Sequence, residues 1–211
     1  MIDDREYQAV TQPLFERLGD DLEILRVERN ENGNLYSKYF LDRDTVKLSN
    51  RGDANERWLW HGTDALDNVL TGGFNTAYAS LEFNAYGVGN YFAPDPRLAD
   101  FFIRSARGSS GEKKIILTRV ACGSIGERDA ISGRWPAERK QAALREVVNR
   151  NPPAGHTSAT GRNHTEVIVY QNYYAYPAYV VTYTVSPRPD PYTQASGYLR
   201  RHEEVAANVF E

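Results

Sequence analysis

The chain has 211 residues, 41% of them apolar and 12% aromatic, enough for one domain with a sizeable core. Its formal net charge of −3 and pI near 5.9 argue against a broad nucleic-acid-binding or membrane-binding face. The single cysteine, Cys122, excludes an internal disulfide framework and any cysteine-based zinc site. No apolar run approaches the roughly 20 residues that span a bilayer. The acidic start, Met1-Ile2-Asp3-Asp4, lacks the basic and apolar regions of a signal peptide, so an intracellular chain, cytoplasmic or nuclear, is expected.

In chain order, Tyr7, Val10, Leu14 and Leu18 recur at helical spacing and predict a helix over 4–18, with Pro13 placed to kink it. Residues 22–29 alternate as a strand, although Leu25 and Val27 are offset from Leu22 and Ile24. The turn-like Asn30 to Asn34 closes that strand, and Leu35, Tyr39 and Phe40 then begin a second helical face. Strands dominate afterwards: Arg57–Trp60, Asn90–Ala93, Lys114–Cys122, Glu166–Tyr170 and Tyr179–Val185. Helical patterns fall among them only at Ala65–Leu70 and Ala137–Asn149. Regular strand–helix alternation is missing, which disfavours a doubly wound parallel sheet and favours an α+β fold with mixed or antiparallel sheets. Three prolines from Pro187 to Pro191 mark a linker and a tail, giving expected boundaries of 1–186 for the main domain and 187–211 for the linker and C-terminal tail.

Three stretches could carry chemistry. "WLWHGT" (Trp58 to Thr63) ends a buried-looking strand on a histidine and a glycine, and a glycine there lets another backbone or a ligand come close. "YGVGNYFA" (Tyr86 to Ala93) has Gly87 and Gly89 before an aromatic pair, but it lacks the third glycine and the following helix of a dinucleotide fingerprint. "EVIVY" places Glu166 at the head of an apolar strand. By default each is ordinary: a structural histidine, a glycine turn, an exposed strand end. His61, His156, His164 and His202 lack metal-ligand spacing, and His156 and His164 lie in a flexible-looking stretch.

In this order, and separated by 30 and 75 residues from His61 to Tyr91 to Glu166, the motifs resemble the catalytic domain of the poly(ADP-ribose) polymerase family. Those enzymes are diphtheria-toxin-like ADP-ribosyltransferases, and the likeness points towards the tankyrase and macrodomain-containing members. It runs from about Glu6 to Val185. "EYQAVTQPLF" and "ILRVERNENGNLYSKY" resemble the family's opening helix and strand, and "AYPAYVVTY" its closing segment.

The resemblance implies two packed mixed or antiparallel β-sheets with flanking helices, and NAD as substrate without a metal. It implies a catalytic triad of His61, Tyr91 and Glu166. Around it, an NAD-contacting set would comprise His61, Gly62, Thr63, Asn75, Tyr78, Tyr86, Gly87, Tyr91, Phe92, Ala99 and Phe102. His61 would hold the adenosine ribose, and the Gly62 backbone the nicotinamide carboxamide. Tyr91 would lie beneath the nicotinamide ring, and Glu166 would be the catalytic carboxylate. These residue types suit the reaction, because cleaving a nicotinamide–ribose bond builds positive charge on the sugar, which a carboxylate stabilises.

Three positions depart from the family pattern. Ala99 stands where a serine usually bonds the carboxamide, Phe102 where the second stacking ring is usually tyrosine, and Val88 where the glycine motif usually has lysine. An acceptor protein, including the chain itself, is the expected partner, with no membrane involvement. Alternatives are a catalytically weak module that binds NAD or ADP-ribose, and a transferase that modifies nucleic-acid ends. Residues 123–165, with Arg139, Lys140, Arg145 and Arg150, would border the acceptor.

Overall fold

A computed structural model describes residues 2–78, 85–103, 111–130, 136, 138–139, 141–142 and 152–185. Helix α1 (Asp4–Leu18) starts with a reciprocal capping box. The Glu6 amide donates to Asp3 Oδ1 at 2.8 Å, and the Asp3 amide donates to Glu6 Oε2 at 3.3 Å. The helix runs through Pro13 and buries Val10 and Leu14. Strand β1 (Leu22–Arg29) follows, and the offset in its alternation is a β-bulge. Its pairing slips between Ile24 and Arg26, so that Ile24 and Val27 both pack on the cluster containing Leu22.

Helix α2 (Gly33–Ser49) is longer than its apolar pattern suggests, because the Asn32 side chain caps it by accepting from the Leu35 amide at 3.2 Å. Strand β2 (Glu56–Gly62), helix α3 (Leu66–Gly72), strand β3 (Asn90–Phe92) and helix α4 (Pro96–Phe101) then lead to β4 (Lys113–Ala121). Two short strands that the sequence pattern does not signal, β5 (Ile125–Arg128) and β6 (Ser158–Gly161), pair in parallel. Strand β6 crosses the stretch around His156 that reads as flexible in sequence. The chain closes with β7 (Val167–Val169) and β8 (Ala175–Val185). Most of the predicted helix at 137–149 and all of the expected linker and tail at 187–211 lie outside the described residues.

The strands form two four-stranded sheets, ordered β1-β8-β4-β2 and β3-β7-β6-β5. The first is antiparallel throughout, and the second is mixed. Leu59, Ile116 and Val120 of the first sheet meet Phe92, Val167 and Val169 of the second in one core cluster. The other face of the first sheet packs Trp60, Ile115, Leu117 and Val181 against Val10 and Leu14 of α1 and Ala99 of α4. Among the described residues, one isolated backbone bridge links the two sheets. Trp60 and Ala93 exchange both backbone hydrogen bonds, each 2.8 Å, which brings the end of β2 beside β3.

Candidate active site

That junction assembles the sequence motifs. His61 lies on β2 one residue past the Trp60–Ala93 pair, and its Nδ1 is 2.8 Å from the Tyr91 carbonyl oxygen. A carbonyl only accepts, so Nδ1 carries the proton and Nε2 of the neutral ring is left as an acceptor. Phe74 meets the ring edge-to-face at 5.0 Å, and Phe92 lies 5.5 Å away. Enclosure by these rings lowers the His61 pKa below its usual 6.5, outweighing the opposite effect of the Tyr91 carbonyl. The imidazole is therefore uncharged near neutral pH.

Tyr91 is held by two backbone partners. Its hydroxyl accepts from the Tyr86 amide and donates to the Gly87 carbonyl, each at 2.9 Å. Gly87 takes φ +101°, which a side chain would disfavour. Burial pushes the phenol pKa well above 10, so Tyr91 offers an orientated ring rather than a proton. Tyr86 is itself buried against Gly161, where a Cβ would collide with its hydroxyl.

Glu166 is not an exposed strand end, since it is only 7% accessible. Tyr91 pairs with Ile168 and Phe92 with Val167. The two-residue period therefore carries Glu166 to the same face of the sheet as Tyr91. Thr160 Oγ1 donates to the Glu166 carbonyl at 2.6 Å and fixes its backbone. The carboxylate has only a long contact with Thr165 Oγ1, 3.4 Å, and no cation pairs with it among the described residues. Burial accordingly raises its pKa above 4.5, with the Thr165 contact opposing. Its charge also acts on both Tyr86 and Tyr91.

Helix α4 lies against the end of β2. A Cβ built on Gly62 would lie 2.8 Å from the Ala99 carbonyl carbon and collide with its oxygen, with Ile103 Cγ1 at 3.2 Å. The close approach that the glycine permits is thus by the backbone of α4. The same Ala99 oxygen accepts from the Phe102 amide at 3.2 Å, so Gly62, Ala99 and Phe102 are contiguous. Phe102 is half-exposed.

The other implied residues are placed less centrally. Thr63 Oγ1 accepts from the Ala65 amide at 3.1 Å and closes the turn after β2. Asn75 caps the turn at Thr76–Tyr78, and Tyr78 is 82% exposed. Phe92 is 1% exposed, so it braces His61 from within the core. Phe74 shares that bracing and carries no motif signal beyond following two glycines. Segments 79–84 and 104–110 lie outside the described residues. A cavity of about 740 Å³ lined by Arg51, His156 and Tyr174 lies elsewhere and includes none of His61, Tyr91 and Glu166. Among the described residues no group of three His, Cys, Asp or Glu side chains could hold a metal ion. No helix there is long and apolar enough to cross a membrane. Cys122 is buried, and its thiol pKa is pushed up to about 12.

Ala99 is 3% exposed within the cluster of Val10, Leu14 and Trp60. Ala99→Ser should therefore act in two opposite directions. Without ligand, a hydroxyl in this setting costs about 1 kcal/mol unless it turns back to the Asp95 carbonyl. With a benzamide in the slot, it gains a partner and tightens binding several-fold. Calorimetry together with thermal unfolding would separate the two. Unchanged affinity would mean that position 99 does not face the carboxamide.

The chain is also similar to known proteins. Residues 4–185 match the family model described as the poly(ADP-ribose) polymerase catalytic domain. The protein mono-ADP-ribosyltransferase PARP14 of Homo sapiens is 29% identical over 184 residues, covering 85% of this chain and 10% of that protein. The protein mono-ADP-ribosyltransferase PARP12 of Homo sapiens is 27% identical over 189 residues, 87% of this chain and 25% of that protein. A protein of Dictyostelium discoideum named as a probable poly [ADP-ribose] polymerase is 27% identical over 186 residues, 84% of this chain and 49% of that protein. The chain thus spans a tenth to about half of these relatives. With residues 4–185 of its 211 matched by one model, the chain belongs to the poly(ADP-ribose) polymerase catalytic domain family.

Proposed function

We propose that residues 1–186 form an NAD-dependent ADP-ribosyltransferase domain, which cleaves the nicotinamide–ribose bond and passes ADP-ribose to a protein acceptor. The observation that carries this reading is Glu166, a buried carboxylate without a cation partner among the described residues, on the sheet face that holds Tyr91. A carboxylate held at such a cost is more readily understood as serving chemistry than stability. It would accept from the ribose 2′-hydroxyl, stabilise positive charge developing on the sugar and polarise an incoming acceptor hydroxyl. The neutral Nε2 of His61 would accept from the adenosine ribose. The Gly62 backbone would hold the carboxamide, between Tyr91 below and Phe102 at the open edge. A passive binding module has no comparable use for an uncompensated buried charge.

For product length we favour single units or very short chains. Elongation needs a polar site for the growing chain beside the nicotinamide slot, yet neither Leu98 and Ala99 of α4 nor Val88 of the glycine motif offers a polar side chain for one. Two of the three relatives above are named mono-ADP-ribosyltransferases, which supports the same reading. Purified protein given NAD should release nicotinamide and, on an automodification gel, show discrete bands. A high-mass smear removed by a poly(ADP-ribose)-specific hydrolase would overturn the chain-length reading, and intact NAD would overturn the activity.

A further inference from the structure

Helix α4 supplies the wall of the slot, yet it has only six residues, too few to hold its own position. Its start is capped by Asp95, and Ala99 and Ile103 pack against α1 and β2. Apolar packing is non-directional and leaves a short helix free to slide or turn. The polar contact made by Asp100 is directional. Lys113 Nζ donates to both carboxylate oxygens of Asp100, at 2.8 and 2.9 Å, and the Tyr183 hydroxyl donates to Oδ1. Lys113 and Tyr183 are direct cross-strand partners on β4 and β8, the two central strands of the first sheet. Tyr183 is fully buried, so its hydroxyl has no solvent alternative. Asp100 also directly follows Ala99, whose carbonyl abuts Gly62, and lies two residues before Phe102.

We propose that Asp100 is a positioning residue for the nicotinamide slot: clamped by Lys113 and Tyr183, it sets the distance of α4 from Gly62. The inference rests on the functional reading above and adds to it. Since Ala99 contributes no hydroxyl to the carboxamide, ligand affinity here depends chiefly on where the Ala99 backbone and the Phe102 ring stand. Small displacements of such groups are felt strongly in binding and turnover.

Asp100→Asn keeps the shape and removes the charge. Benzamide affinity should weaken about tenfold, and KM for NAD should rise in parallel, with kcat changed less than twofold. Lys113→Met should do the same, Lys113→Arg should largely restore affinity, and the Asp100→Asn/Lys113→Met double variant should be no worse than either single change. Hydrogen exchange gives a ligand-free reading of the clamp. In Asp100→Asn the Phe102 and Ile103 amides, which bond Ala99 and Asp100, should lose protection while those of β4 and β8 keep theirs. Tyr183→Phe should show the same exchange pattern more weakly. Unchanged protection at Phe102 and Ile103, or a lower Tm with unchanged benzamide affinity, would overturn the clamp. A parent protein that binds no benzamide, yet shows this exchange pattern, would count against the functional reading alone.

Discussion

Glu166→Gln should lower ADP-ribosyl transfer by about 2.7–4 kcal/mol of barrier, a hundredfold or more, while leaving benzamide affinity nearly unchanged. The amide keeps the shape and loses the charge that would stabilise the reacting sugar. The same change should make the fold more stable at neutral pH. Burial raises the Glu166 pKa above 4.5, so above the folded-state pKa the native protein carries a desolvation penalty that the unfolded chain escapes. Below 4.5 both states are protonated and the penalty vanishes. The stability gain of Glu166→Gln should therefore be present at pH 7 and fade as pH falls through the folded pKa towards 4.5. Activity of the parent should fall over the same window, as the carboxylate takes up its proton. A variant that transfers at the parental rate would remove Glu166 from the chemistry. One that loses activity together with stability at pH 7 would make it a structural residue.

The second large effect is expected at Gly62. In Gly62→Ala the new Cβ meets the Ala99 carbonyl, which is backbone and cannot rotate away, and it presses on Ile103 at 3.2 Å. Either α4 retreats or the end of β2 does. The cost should reach about 3 kcal/mol, the upper end of overpacking, which for a chain of this size lowers Tm by roughly 6–12 °C. Benzamide binding should be lost along with it, because the slot's wall and its carboxamide contact are the parts that move apart. Thermal unfolding with and without benzamide checks both. A variant of parental stability would mean that α4 does not approach Gly62 this closely.

Long and strongly periodic elements were legible in the residues alone. Helix α1 and strands β1 and β4 lie within a residue of where apolar spacing places them, and β2 runs two residues further, to Gly62. Strand β8 begins at Ala175, four residues before its apolar run implies, because Pro177 reads as a breaker. It is tolerated there because the pairing with β4 slips at Leu117/Thr118, opposite the proline, and the Pro177 carbonyl is taken by Asn30 Nδ2 at 2.9 Å. Strands β5 and β6 were not legible. Ser158-Ala159-Thr160-Gly161 has no apolar alternation, and its four buried residues owe their conformation to β5 and β7 on either side.

The site divides in the same way. The order of His61, Tyr91 and Glu166 is readable because motif residues cluster in sequence. The residues that hold them are not. Thr160 fixes Glu166, Phe74 braces His61, and Asp100 reaches Lys113 and Tyr183, which come 13 and 83 residues later. Such partners are set by topology, and only the folded sheets bring them together. Gly62 is intermediate: its lack of a side chain announces a close approach, but not that the approaching group is the Ala99 carbonyl.

The central claim, a transferase whose chemistry depends on Glu166, is tested most directly by intact-mass spectrometry of the purified protein before and after incubation with NAD. Released nicotinamide should be assayed in the same samples, for the parent and for Glu166→Gln. The account predicts that the parent gains one or a few ADP-ribose units with matching nicotinamide release, and that Glu166→Gln gains about a hundredfold less while still binding benzamide. Parent protein of unchanged mass with intact NAD, or equal modification of parent and variant, would contradict it.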